Sequence, residues 1–118
     1  MANSILIVDD DPNMRDLLRL HLSSAGYDVR TASDGIEAGY SVLRDPPDLI
    51  ITDIKMPHMD GLAFIDALKS YKALPPIPVI FLSSIERGAG SHQPGVVDYI
   101  VKPVRSEDDI ARLGVPDP

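Results

Sequence analysis

Apolar residues in this chain change their period from one stretch to the next, and the changes outline alternating strands and helices. Ile5 to Val8 is a continuous apolar run closed by Asp9, Asp10 and Asp11, which predicts a strand buried on both faces. Met14, Leu17, Leu18, Leu22 and Ala25 then recur at helical spacing, with Pro12 where a first turn tolerates it and Gly26 at the stop. Val29 to Ala32 predicts a second strand, and Ser33, Asp34 and Gly35 introduce a helix to about Leu43, ended by Pro46 and Pro47. Leu49 to Thr52 is another apolar run, closing on Asp53; after a proline loop, Asp60 and Gly61 open a helix through Leu62, Phe64, Ile65 and Leu68. Pro75, Pro76 and Pro78 precede the strand Val79 to Leu82, which ends on Ser83 and Ser84. Val96 to Val101 is the last strand, before Lys102 and Pro103, and Ser106 with Asp109 resembles a capping box for a final helix.

Apolar strands alternating with helices imply parallel pairing, right-handed crossovers and helices on both faces: a five-stranded α/β sandwich of three layers. No repeat, low-complexity tract or linker interrupts the chain, so residues 1–118 are expected to form a single domain with no output domain in this chain. At 118 residues, 44% of them hydrophobic, such a domain needs no disulfide or metal staple, which agrees with the absence of Cys. A net charge of −7 argues against tracking a phosphate backbone, so no direct contact with nucleic acid is expected. The start carries no basic leader and no apolar run of membrane length, so a cytoplasmic protein without a membrane partner is expected.

In an open parallel sheet, ligands bind outside the carboxyl ends of the strands. Four strands here end in polar groups: Asp9 and Asp10, Asp53, Ser83 with Ser84, and Lys102. Three carboxylates gathered in one place repel one another unless a cation sits between them. A hard divalent ion with oxygen ligands answers that repulsion, and Mg2+, which accepts few protein ligands, fits best. Taken alone, Asp9 to Asp11 reads more readily as an acidic helix cap, and it is Asp53 and Lys102 in register that outweigh that reading. Gly90 to Gly95 spaces two glycines like a phosphate loop, but Val96 and Val97 stand where Lys and Ser or Thr are needed.

The segments ILIVDDDP at 5–12, DLIITDIKMPHMDG at 48–61, IPVIFLSS at 77–84 and DYIVKP at 98–103 resemble bacterial response-regulator receiver domains of the CheY-like family. The resemblance runs from about Ser4 to Val104 and implies a flavodoxin-like fold. It implies that Asp53 is the phosphoacceptor, taking phosphate from a sensor histidine kinase or a histidine-phosphotransfer protein. Asp9, Asp10, Asp53 and the backbone carbonyl of Lys55 are implied to hold Mg2+, while Lys102 pairs with the phosphoryl group and Ser83 hydrogen-bonds to it. Ser83 and Tyr99 are then the two parts of a switch that alters affinity for a downstream protein target. Asn13, Met14, Leu17, Pro103 and Val104 resemble the patch that receives the phosphodonor helix.

Two departures from the family pattern stand out. The stretch RGAGSHQPG at 87–95 has poor helix propensity, so an irregular or shortened fourth helix is expected, and Gly114 and Pro116 leave only a short last helix. Family members commonly dimerise through the face made by the fourth helix, last strand and last helix, which is altered here, so a monomer or weak dimer is expected. Two other readings use the same residues: a receiver scaffold that works without phosphorylation, and an aspartyl-phosphate hydrolase. The hydrolase needs a second acid two residues after its nucleophile, and position 55 is Lys.

Overall fold

The computed structural model describes residues 3–54, 56, 61–71, 73–83 and 96–101, with side chains as far as Leu82. Its elements are β1 (Ser4–Val8), α1 (Pro12–Ser24), β2 (Asp28–Ala32), α2 (Gly35–Arg44), β3 (Leu49–Asp53), α3 (Gly61–Lys69), β4 (Val79–Ser83) and β5 (Val96–Val101). All five strands pair in parallel in the order β2-β1-β3-β4-β5. The predicted elements stand within a residue or two of their expected bounds. The expected fourth and last helices fall on residues outside the described ones.

Alternation along the buried strands explains why their sequences read as unbroken apolar runs. Ile5, Ile7, Leu49, Ile51, Ile80 and Leu82 face one side, where Met14, Leu18 and Leu22 of α1 cover them. Leu6, Val8, Ile50, Val79 and Phe81 face the other, under Ala38 and Val42 of α2 and Phe64 and Ile65 of α3. Each fully buried aliphatic or aromatic side chain contributes about 1.5–3 kcal/mol, so both layers are needed to hold the sheet.

Local signals fix the helix ends. The Asp11 carboxylate accepts from the Asn13 N–H at 2.9 Å, capping α1, and Pro12 occupies the first turn. At the other end Gly26 takes φ 104°, which an L side chain resists. There the Tyr27 N–H donates to the Leu22 carbonyl and the Gly26 N–H to the Ser23 carbonyl, both at 3.1 Å, closing a Schellman cap. Asp34 caps α2 by accepting from the Glu37 N–H at 2.8 Å.

The amino ends of β1 and β3 are clasped by Ser4 and Asp48. The Ser4 N–H donates to Asp48 Oδ2 at 2.8 Å, and the Asp48 N–H donates to the Ser4 carbonyl at 2.9 Å. This fixes a register in which Val8 lies beside Thr52, so Asp9 and Asp53 emerge together at the carboxyl edge. β2 forms one edge of the sheet; there the Arg30 guanidinium donates to the Asp45 carbonyl at 2.8 Å and lies 3.8 Å from its carboxylate.

Candidate phosphoacceptor and metal site

Strand order reverses between β1 and β3, and the crevice at their carboxyl ends collects the acids. One carboxylate oxygen from each of Asp9, Asp10 and Asp53 lies within 4.8 Å of the others. Asp9 is fully buried and Asp53 is 7% exposed, while Asp10 is exposed. Negative charge packed this closely suits a hard divalent ion that can keep waters on its open side, so the residues present fit Mg2+.

Asp9 is held from several directions. Its N–H donates to the Ala32 carbonyl at 3.1 Å, and its Oδ1 accepts from the Asp11 N–H at 2.9 Å. Its carbonyl oxygen accepts from Arg15 Nη1 at 2.7 Å, a charge-assisted bond from the first turns of α1. Arg15 thus fixes the peptide that joins Asp9 to Asp10. The spacing of acids in the sequence gives no sign of this role, because Arg15 acts on a backbone oxygen.

At Asp53 the neighbour that matters is Gly61. The Gly61 N–H donates to the Ile54 carbonyl at 2.7 Å, bringing the start of α3 against the end of β3. A Cβ built on Gly61 would overlap the Asp53 carbonyl oxygen and stand 3.1 Å from the Asp53 carbonyl carbon and 3.2 Å from Ile54 Cα. Gly61 is read in the sequence as a helix start; its close approach to the acid's backbone appears only in three dimensions.

Of the other expected site residues, Ser83 ends β4 in register with Val101, and Tyr99 lies beside Phe81. The side chains of Ser83 and Tyr99, and all of Lys55, Lys102, Pro103 and Val104, lie outside the described residues. Within the expected docking patch Asn13 is exposed and Leu17 half-buried. Met14 is only 8% exposed because it faces the sheet, so it supports that surface from beneath. Leu20, expected off the apolar face of α1, is 61% exposed.

Removing the Arg15 donor frees the Asp9–Asp10 peptide to turn away from the crevice. Arg15→Ala is expected to weaken magnesium binding about tenfold, as losses of outer-shell partners do, with Arg15→Lys recovering part of it. Calorimetric titration checks this, and equal affinities would show that the carbonyl needs no donor.

Comparison with known proteins is consistent with this geometry. A family described as "Response regulator receiver domain" matches residues 5–113. The chain is 39% identical over 110 residues to the response regulator MprA of Mycobacterium leprae, covering 92% of this chain and 48% of that protein. With the DNA-binding dual master transcriptional regulator RpaA of Synechocystis it shares 37% over 112 residues, covering 92% and 46%. It therefore spans about half the length of the curated relatives it matches. Among solved structures, the chemotaxis protein CheY4 of Vibrio cholerae superposes with a TM-score of 0.83 at 29% identity, covering 95% of each chain. The response regulator TrrA of Thermotoga maritima, in complex with Mg2+ and BeF, gives 0.77 at 30% identity, covering 94% of this chain and 98% of that one. Among the described residues no helix is long and apolar enough to cross a membrane.

Proposed function

The chain belongs to the response regulator receiver domain family of two-component systems, and on that premise we propose that Asp53 is its phosphoacceptor and that Asp9, Asp10 and Asp53 hold Mg2+. The observation that carries the reading is the convergence of these carboxylates within 4.8 Å at the switch in strand order. Receiver domains are regulatory phosphoacceptors rather than enzymes that turn over a separate substrate, and they interact with histidine kinases and downstream effectors. That TrrA was captured with Mg2+ and BeF supports the metal assignment here.

Phosphoryl transfer asks a protein mainly for position and charge. An Asp53 carboxylate oxygen attacks the phosphorus of a phosphohistidine, the P–N bond breaks, and the imidazole leaves with its electron pair; the product is an acyl phosphate. Burial of Asp53 limits the nucleophile to approach along the open side of the crevice. Asp9, pinned by Ala32, Asp11 and Arg15, keeps its carboxylate in place while Asp10 stays exposed to the arriving group. Bound Mg2+ supplies positive charge to the phosphoryl oxygens. By sequence position Lys102 supplies the second cation and Ser83 the hydroxyl that follows the new dianion, with Tyr99 behind it and the Lys55 carbonyl as a further metal ligand. Asn13, Leu17, Pro103 and Val104 receive the donor, and the phosphorylated domain changes its affinity for a protein target without itself touching nucleic acid. The reading places the chain in the cytoplasm.

The test is intact mass after incubation with acetyl phosphate, with and without magnesium, followed by borohydride reduction to mark any acyl phosphate. The expected result is a magnesium-dependent gain of one phosphoryl group that maps to Asp53. No gain would leave the scaffold reading in possession, and rapid donor turnover with little adduct would revive the hydrolase.

A further inference from the structure

Away from the acids, the described surface carries few large exposed apolar side chains, and most of them gather at one place. Ile36, Tyr40 and Leu43 of α2 and Tyr71 after α3 are exposed around a cleft of about 240 Å3 whose wall is completed by Phe64 and Leu68. Tyr40 stands 70% exposed at the rim. Beside it Gly39 lines the cleft in open space: a Cβ built there meets nothing within 4 Å.

Charge along α2 is divided between its ends. Asp34 and Glu37 lie at its amino end and Arg44 in its last turn. Ile36, Tyr40 and Leu43 share one face, and Glu37 and Arg44 flank that face a heptad apart on the side away from the cleft. If two α2 helices cross antiparallel about an axis near Gly39 and Tyr40, Ile36 meets Leu43 of the second copy and the two Tyr40 rings lie beside each other at the axis. Glu37 then lies beside the second copy's Arg44, and the same pair repeats across the axis. A parallel crossing sets like charges together.

We infer that α2 is a self-association surface on which two copies of this chain pair antiparallel, Tyr40 beside Tyr40 and Glu37 beside Arg44. The inference does not depend on Asp53 chemistry. It uses α2 rather than the elements through which family members commonly dimerise. The pairing is weak: a helix of ten residues is about 15 Å long, and the chain's net charge of −7 sets the two copies against each other at long range. A dissociation constant on the order of 100 μM is expected for so small an interface.

Sedimentation equilibrium up to about 1 mM protein, in about 0.15 M salt where the Debye length is about 8 Å, tests the pairing. Tyr40→Glu sets two like charges together at the axis, and because Tyr40 is 70% exposed it is expected to weaken association at least tenfold while leaving the melting curve cooperative. Glu37→Arg and Arg44→Glu are each expected to do the same alone, whereas an equimolar mixture of the two regains association, because every pair across the axis is then opposite in sign. A monomer throughout the range overturns the inference. So does a dimer indifferent to Tyr40→Glu, or a mixture that stays monomeric although each variant melts normally.

Discussion

Asp53→Asn is expected to end phosphoryl capture: incubation with acetyl phosphate and magnesium leaves the mass of the variant unchanged. The amide nitrogen has no lone pair free to attack phosphorus and the amide oxygen carries no full charge, so the acyl phosphate cannot form. The fold survives the change, since β3 is held by its ladder to β1 and β4 and by the apolar layers on either face. Indeed the metal-free variant is expected to be the more stable of the two. Two charges about 5 Å apart repel by about 3 kcal/mol at an effective dielectric of about 20, and water around exposed Asp10 reduces the relief to about 1 kcal/mol. That raises the melting temperature by about 3–6 °C. A variant that still gains a phosphoryl group would move the acceptor to another residue. One that loses both phosphorylation and cooperative melting would show that Asp53 is structural.

Gly61→Val is expected to be the most damaging single substitution to both fold and site. The added Cβ collides with backbone, at the Asp53 carbonyl and Ile54 Cα, so no rotamer change relieves it. Either α3 withdraws from the end of β3, losing the Gly61–Ile54 hydrogen bond and loosening Phe64 and Ile65, or the Asp53 peptide rotates. Overpacking of this kind costs about 3 kcal/mol, a fall of about 10–15 °C in melting temperature. Gly61→Ala is expected to show most of the loss, because the first carbon is the one that collides. In either variant the surviving folded protein takes up phosphate at least tenfold more slowly, since the nucleophile has been moved on its own backbone. Thermal melts and time-resolved intact mass check the two effects separately, and an alanine variant with the melting temperature of the unaltered chain would refute the contact.

The layered fold was legible because β1, β3 and β4, buried between the layers, read as apolar runs, and because Asp9, Asp53 and Ser83 mark where those strands end. The acids' meeting was legible for the same reason: parallel strands share one carboxyl edge. What the sequence does not show is how the acids are held. Arg15 acts on a carbonyl, and Gly61 acts through the absence of a side chain. Neither leaves a trace in charge or hydrophobic period. Met14 was misplaced in emphasis rather than in position, since helical spacing fits both the docking face and the core, and only packing decides that it turns inward. The α2 cleft was invisible, because Ile36, Tyr40 and Leu43 follow the helical period of a buried face while standing outside the core.

The guarded edge at β2 bears on how this molecule can meet others. A bare outer strand offers its unpaired backbone groups to any extended chain, the route by which sheets fuse end to end and aggregate. Here that strand is only five residues long and bears Asp28 and Arg30, with the Arg30 guanidinium tethered to Asp45 beyond the end of α2. An incoming strand must therefore desolvate charge before gaining a single ladder bond. The face of α2 remains open to company where the β2 edge does not, so contact on this side of the molecule favours docking of preformed surfaces over growth of the sheet.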